Sequence, residues 1–74
     1  MAQLSKSDKL DLISSRSREL EYRKYGLGLD LIVENAKSSP DSNVVDVINT
    51  AVAEIDTQLA ALNSEFTAVN ALTE

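Results

Sequence analysis

The second half of this chain carries an apolar residue at every step of an alternating three- and four-residue spacing. The positions are Val45, Ile48, Val52, Ile55, Leu59, Leu62, Phe66 and Val69. This is a heptad pattern, which aligns all eight side chains on one face of a helix, here called the seam. A single helix cannot shield such a face from water. The pattern therefore predicts packing against another helix, of the same chain or of another.

The size and composition of the chain restrict how this packing can be stabilised. The chain has 74 residues, and we treat residues 1–74 as a single helical-hairpin domain. Domains this small usually depend on disulfides, a metal, oligomerisation or very regular helix packing. The sequence contains neither cysteine nor histidine, so disulfides are excluded and a structural zinc site has no suitable ligands. Oligomerisation and regular helix packing remain, and we expect no cofactor.

The turn between two helices is predicted at the only proline. Residues 38–43 are serine, proline, aspartate and asparagine, which favour turns, and Pro40 cannot continue a preceding helix. The sequence therefore predicts a first helix at about 5–37, a turn at 38–43 and a second helix at about 44–70.

The starts of both helices carry capping signals. The first helix is expected to begin near Ser5 or Ser7, because Ser5 and Asp8 have the spacing of a capping box. Two N-caps fit the second helix. One is Ser39, which precedes the proline, and the other is Asn43.

Two apolar stripes lie on nearly opposite faces of the predicted first helix. One consists of Leu10, Ile13, Leu20, Leu27 and Leu31, and the other of Tyr22, Tyr25, Leu29, Ile32, Val33 and Ala36. One partner helix can cover only one of these faces. We expect Leu20, Leu27 and Leu31 to pack against the seam within the chain. The second stripe, with Leu29, Ile32 and Val33, is expected to face the next subunit.

Two glycines leave an alternative open in the middle of the first helix. Gly26 and Gly28 each weaken a helix by about 1 kcal/mol relative to alanine. Apolar residues also alternate strictly with other residues over 25–33, which is a strand pattern. We favour the helix. A lone strand would need strands from other copies, so both interpretations predict self-association.

The charges are distributed unevenly along the chain. The net charge is −5, yet all seven basic residues lie within residues 6–37, whereas residues 38–74 hold six acidic residues and no basic one. The mixed-charge half of one copy could therefore sit against the acidic half of another, although helix surfaces ordinarily carry charge.

No set of residues suited to catalysis is evident. Without histidine or cysteine, no side chain is placed to activate the serines, and the carboxylate pairs resemble those on solvated helix faces. We therefore expect no enzymatic activity. No apolar run approaches the roughly 20 residues that a membrane span needs, and no secretion signal is visible. The expected location is the cytoplasm or an assembled particle.

A row of basic residues is the one feature that indicates nucleic-acid binding. Lys9, Arg16 and Arg23 are spaced seven apart on one face of the first helix and could contact phosphates. Glu19 and Glu21 interrupt this cluster, and the whole chain is acidic. We therefore rank nucleic-acid binding third among the functions considered.

The sequence as a whole predicts an all-α, antiparallel two-helix hairpin with a coiled-coil-like second helix, assembling into a multi-helix oligomer. The expected function is a structural or assembly subunit that binds itself and a larger assembly, such as a phage particle, an analogy of general architecture only. The alternative is a small helical adaptor, an inhibitor or chaperone, that binds one partner protein. Parallel or antiparallel packing between chains is left open.

Overall fold

Two α-helices joined by a short turn account for nearly all of the computed structural model, which describes residues 4–72. Helix α1 spans Lys6–Asn35 and helix α2 spans Ser42–Asn70. The described residues contain no strand, so the all-helical hairpin predicted from the sequence is confirmed. Both helices are close to their predicted bounds; α1 ends two residues earlier than expected and α2 begins two residues earlier.

The strand alternative for residues 25–33 is wrong, because this segment lies inside α1. Gly26 and Gly28 both have negative φ values, as the helix requires. A helix satisfies its backbone hydrogen bonds internally, whereas a strand here would have no neighbouring strand among the described residues to pair with.

Contacts at three levels show that the helices run antiparallel. Lys6 Nζ donates a hydrogen bond to the carbonyl oxygen of Leu72, at 3.0 Å, at the open end of the hairpin. Midway, Lys24 Nζ lies 2.6 Å from Asp56 Oδ1. At the turn, the backbone N–H of Asp41 donates to Glu34 Oε2 at 2.9 Å.

One of the two helix starts is capped by a residue other than those expected. Ser5 caps α1 as predicted, since its hydroxyl accepts a 3.1 Å hydrogen bond from the backbone N–H of Asp8. The two predicted caps of α2, Ser39 and Asn43, are wrong. Asp41 is the N-cap, and its carboxylate accepts a 2.9 Å hydrogen bond from the N–H of Asn43.

Glu34 explains why Asp41 is the N-cap of the second helix. Its side chain is only 6% exposed, and it binds the N–H of Asp41 through Oε2 and the ammonium group of Lys37 through Oε1, at 2.9 Å. The last turn of α1 thus holds the N-cap of α2 in its extended conformation. The hydrogen bond from the Asp41 backbone, followed by that from Lys37, lowers the pKa of Glu34, and Glu34 in turn raises the pKa of Lys37.

The seam of α2 lies in the contact between the helices. Ile48, Ile55 and Val69 are buried, and the other five seam residues are half-buried. Leu20, Leu27 and Leu31 of α1 are half-buried as well. In a molecule of two helices, only the opposite helix can cover these side chains. The contact is narrow, because no apolar side chain among residues 4–72 is completely buried.

The molecule is correspondingly long and thin. Its Cα atoms extend over 57 × 19 × 14 Å, with a radius of gyration of 17.1 Å. A compact protein of this length would have a radius of about 11 Å. The hairpin is therefore a single layer of two helices, and each helix has a face that its partner does not cover.

Replacing Ile55 with aspartate should unfold the hairpin. Ile55 is 4% exposed, and losing a buried aliphatic side chain costs about 2–5 kcal/mol before any charge is buried. A single core this small supplies about 3–5 kcal/mol in all. Circular dichroism should therefore show loss of the helical signal in Ile55→Asp. The exposed Ser64→Asp, which adds the same charge to the same helix, should remain helical; equal losses in both would contradict the seam assignment.

Acid should destabilise the turn through Glu34. Because folding lowers its pKa, this carboxylate stabilises the hairpin above the ordinary glutamate pKa, and the stabilisation is lost as the pH falls through the folded-state pKa. Chemical denaturation at a series of pH values from about 6 to about 3 measures this loss. Glu34→Gln should be less stable at neutral pH and should flatten the acid dependence. An unchanged pH profile would show that Glu34 does not contribute.

Candidate functional site

The most distinctive surface of the hairpin is an exposed apolar face on α1. It consists of Tyr22, Tyr25, Leu29, Ile32 and Val33, here called the outer stripe. These side chains are between 46% and 71% exposed. They follow one another at spacings of three or four, apart from the adjacent pair at the end, and cover about 17 Å of helix length. An apolar stripe of this extent, uncovered in water, indicates a contact surface.

The outer stripe lies mainly on the side of α1 opposite the core, and its edge at Ile32 borders a groove shared with α2. Leu29 follows the inward-facing Leu20 by nine positions, which is two and a half helical turns and therefore the opposite side of α1. The outer stripe thus cannot join the core of its own hairpin unless α1 rotates about its axis. Such a rotation would expose Leu20, Leu27 and Leu31 instead.

The outer stripe occupies only the half of α1 next to the turn. The same face in the first half of α1 carries exposed polar residues: Ser7, Asp11, Ser14, Ser15 and Arg18. One face of one helix therefore changes from polar to apolar near Tyr22. This abrupt change is typical of a surface that is covered over part of its length. A helix face that is exposed along its whole length is usually polar throughout.

The two glycines of α1 have no close neighbour in the hairpin. A Cβ atom added to Gly26 or to Gly28 would meet no atom within 4 Å, and neither glycine has a positive φ. Alanine at either position would strengthen the helix by about 1 kcal/mol. The hairpin alone therefore gives no structural reason for glycine at these positions.

Polar groups border the outer stripe along its edges. The guanidinium carbon of Arg18 lies 5.7 Å from the centre of the Tyr22 ring, a cation–π arrangement. On the side toward α2, Leu29, Ile32 and Gly28 line a shallow groove together with Leu59. The pair of Lys24 and Asp56 lies close to this groove, with both side chains about half exposed. An apolar floor with a polar rim is the common anatomy of a protein–protein interface.

The basic row predicted as a candidate nucleic-acid surface is divided between different environments. Arg16 and Arg23 are exposed, whereas Lys9 is half-buried. Arg16 pairs with Glu19 at 3.9 Å. Arg16, Glu19 and Arg23 also line one shallow groove, so a carboxylate lies among the guanidinium groups where phosphates would have to bind. The row stays a prediction, and this geometry adds no support to it.

Helix α2 presents a different surface to solvent. Its outward side carries small neutral residues and four acidic ones, Asp46, Glu54, Asp56 and Glu65, and no basic residue. Val47 is its only outward large apolar residue with an exposure like that of the outer stripe. The solvent-facing side of α2 therefore lacks a continuous apolar surface of its own.

The structure thus separates the predicted interface residues into two groups. The seam, with Leu20, Leu27 and Leu31, lies between the helices, whereas Leu29, Ile32 and Val33 lie on the outside. Sequence reasoning did not single out Glu34, because its role depends on a residue seven positions ahead across the turn. No local spacing pattern signals such a contact.

Two classes of site find no support among residues 4–72. No three carboxylates of this part of the chain gather into a group that could hold a metal ion. Neither helix combines the length and the apolar content that crossing a membrane requires.

The exposed area of the chain is larger than that of a compact protein of the same mass. The accessible surface is 5680 Å². A compact monomer of 8.0 kDa is expected to expose about 4,450 Å². The excess of about 1,200 Å² follows from the long, thin shape of the two-helix hairpin.

Comparison with protein-family models, with curated proteins and with solved structures finds no match for this chain. The surface of the hairpin itself is therefore the basis for assigning a function.

Proposed function

We propose that this chain is a non-enzymatic assembly subunit that self-associates, with the outer stripe of α1 as its principal contact surface. It acts as a building block of a multi-helix oligomer or of a larger particle, and its activity is to form defined contacts. The seam of α2 has a different role. It stabilises the hairpin, and the hairpin in turn positions the outer stripe.

The observation that carries this proposal is the exposure of the outer stripe in a hairpin with so small a core. Among residues 4–72, only three apolar side chains are buried between the helices, whereas the five large apolar side chains of the outer stripe stand in water on one face of α1. Covering these five would supply apolar burial that the hairpin lacks. The absence of histidine and cysteine from the sequence also supports a role without catalysis.

A small adaptor for one partner protein is the second interpretation of the same surface. It differs from the assembly subunit in stoichiometry. An adaptor would be monomeric alone and would bury its outer stripe only when bound to its partner. The small core favours self-association, since a hairpin with only three buried apolar side chains among residues 4–72 is stabilised when copies cover each other's outer stripes.

An aspartate in the outer stripe should break the oligomer and leave the helices intact. Ile32→Asp places a charge within the proposed contact, where burial without a partner costs several kcal/mol and corresponds to at least about a hundredfold weaker association. Ile32 is 65% exposed, so the hairpin itself tolerates the change. Light scattering on a gel-filtration column measures the mass, and circular dichroism the helix content.

Val47→Asp is the matched control for this experiment. Val47 is 68% exposed, much as Ile32 is, but lies on α2 outside the outer stripe. The control should keep the native mass. Equal loss of mass in both variants would show that association does not depend on the outer stripe, and a native chain that is monomeric at every concentration would refute the assembly function.

A further inference from the structure

We propose that a groove beside Ser17 binds a helix of a partner protein, which places an apolar side chain over Phe66 and pairs a lysine or arginine with Glu21. The groove lies between the two helices and has a volume of about 390 Å³. None of the outer-stripe residues lines it. The inference therefore goes beyond the proposed function and does not rest on it.

The groove arises where the inward face of α1 is interrupted by polar residues. Leu10, Ser17, Lys24 and Leu31 follow one another at seven-residue intervals and are all half-buried, so they form one row on the side toward α2. Lys24 extends to Asp56, at 2.6 Å. The short side chain of Ser17 instead leaves an open space against α2. The apolar core therefore has an opening at Ser17.

The floor of this groove is apolar. Ile13 of α1 lines it together with Leu59 and Phe66 of α2, and all three side chains are only half-buried. Leu59 and Phe66 belong to the seam, so their exposed parts are a portion of the core that α1 does not cover. An apolar side chain of another helix would complete the packing at this point, as a knob fits a hole.

The rim of the groove carries an exposed carboxylate without a counter-ion, that of Glu21. Two basic residues lie one helical turn from it, three positions before and three positions after, and both are engaged elsewhere. The guanidinium group of Arg18 lies 5.7 Å from the centre of the Tyr22 ring. Lys24 pairs with Asp56 on the opposite helix. No ion pair within residues 4–72 involves Glu21.

This charge pattern specifies a basic partner. The α2 wall of the groove supplies no cation, because residues 38–74 contain no basic residue. An acidic helix would be repelled by Glu21 and by the net charge of −5, whereas a lysine or arginine would be attracted. Glu21 follows Ser17 by four positions, about 6 Å along α1. The partner is therefore an amphipathic helix whose basic residue lies one turn from its apolar anchor.

A synthetic helix of this chemistry tests the proposal. The probe is a fluorescein-labelled, alanine-based peptide of about 20 residues, with leucines along one face and an arginine one turn from the central leucine. A matched peptide has glutamate in place of the arginine. Fluorescence anisotropy should show that the full chain binds the arginine peptide, and that it binds the glutamate peptide at least about tenfold more weakly.

Glu21→Lys should reverse the preference between the two peptides, because it places a cation on the rim of the groove. Glu54→Lys is the matched control, since Glu54 is exposed on α2 outside the groove and the change in net charge is the same. The control should keep the preference for the arginine peptide. Equal effects of the two substitutions would show that the peptides respond only to net charge, and would overturn the site.

Ser17→Leu has two readouts of opposite direction. The leucine should fill the opening and raise the midpoint of thermal unfolding by about 4 °C or more. It should also weaken binding of the arginine peptide at least about tenfold, because it occupies the place of the peptide's leucine. Unchanged binding would place the peptide elsewhere. A lower midpoint would show that the hairpin alone already fills this space, and would equally contradict the proposal.

The outer-stripe variant Ile32→Asp separates this inference from the proposed function. It should bind the arginine peptide as the native chain does, because Ile32 does not line the groove. Loss of binding in this variant would show that the peptide occupies the outer stripe instead. If the native chain binds neither peptide, the inference is wrong and the assembly function stands. If Glu21→Lys lowers the mass measured by light scattering, the occupant is a second copy of the chain, and the basic partner is wrong.

Discussion

Burial of the α2 seam against one face of α1 is the interaction on which the rest of this structure depends. It fixes the antiparallel hairpin and the rotation of both helices about their axes. Because Ile48, Ile55 and Val69 must face inward, Leu20, Leu27 and Leu31 of α1 face them, and the opposite side of α1 has to point outward. The position of the outer stripe is thus a consequence of the core. A change that disrupts the seam also disrupts the alignment of the outer stripe.

The turn contributes through a different kind of contact. Glu34 at the end of α1 binds Asp41, the N-cap of α2, and also pairs with Lys37, so a buried carboxylate connects the two helices electrostatically. This contact stops the end of one helix and sets the start of the next within seven residues. It also limits how far the helices can slide along each other, which preserves the alignment of the seam with α1.

Sequence periodicity was sufficient for the helices and insufficient for the details of the turn. The heptad spacing from Val45 to Val69 predicts α2 well, because apolar residues at this spacing share one face only when the segment is helical. The cap at Asp41 could not be found in the same way, since Ser39 and Asn43 have equal local capping ability and the choice depends on Glu34 across the turn. The alternation at 25–33 resembled a strand because two glycines and closely spaced apolar residues obscure the helical period.

The sequence showed the outer stripe as a second apolar face. It did not show that the stripe is left uncovered by the other helix. Only the hairpin shows that one helix covers one face, that the polar part of the outward side ends near Tyr22, and that Gly26 and Gly28 have no neighbour of their own. These facts identify the outer stripe as the candidate contact surface.

The most direct test of the central claim is quenching of tyrosine fluorescence by acrylamide over a dilution series. The chain contains two tyrosines and no tryptophan, and both tyrosines lie on the outer stripe, so the signal reports on this surface alone. The account predicts strong quenching in dilute solution, and protection that increases with concentration together with the mass from light scattering. A rise in mass without tyrosine protection would contradict it.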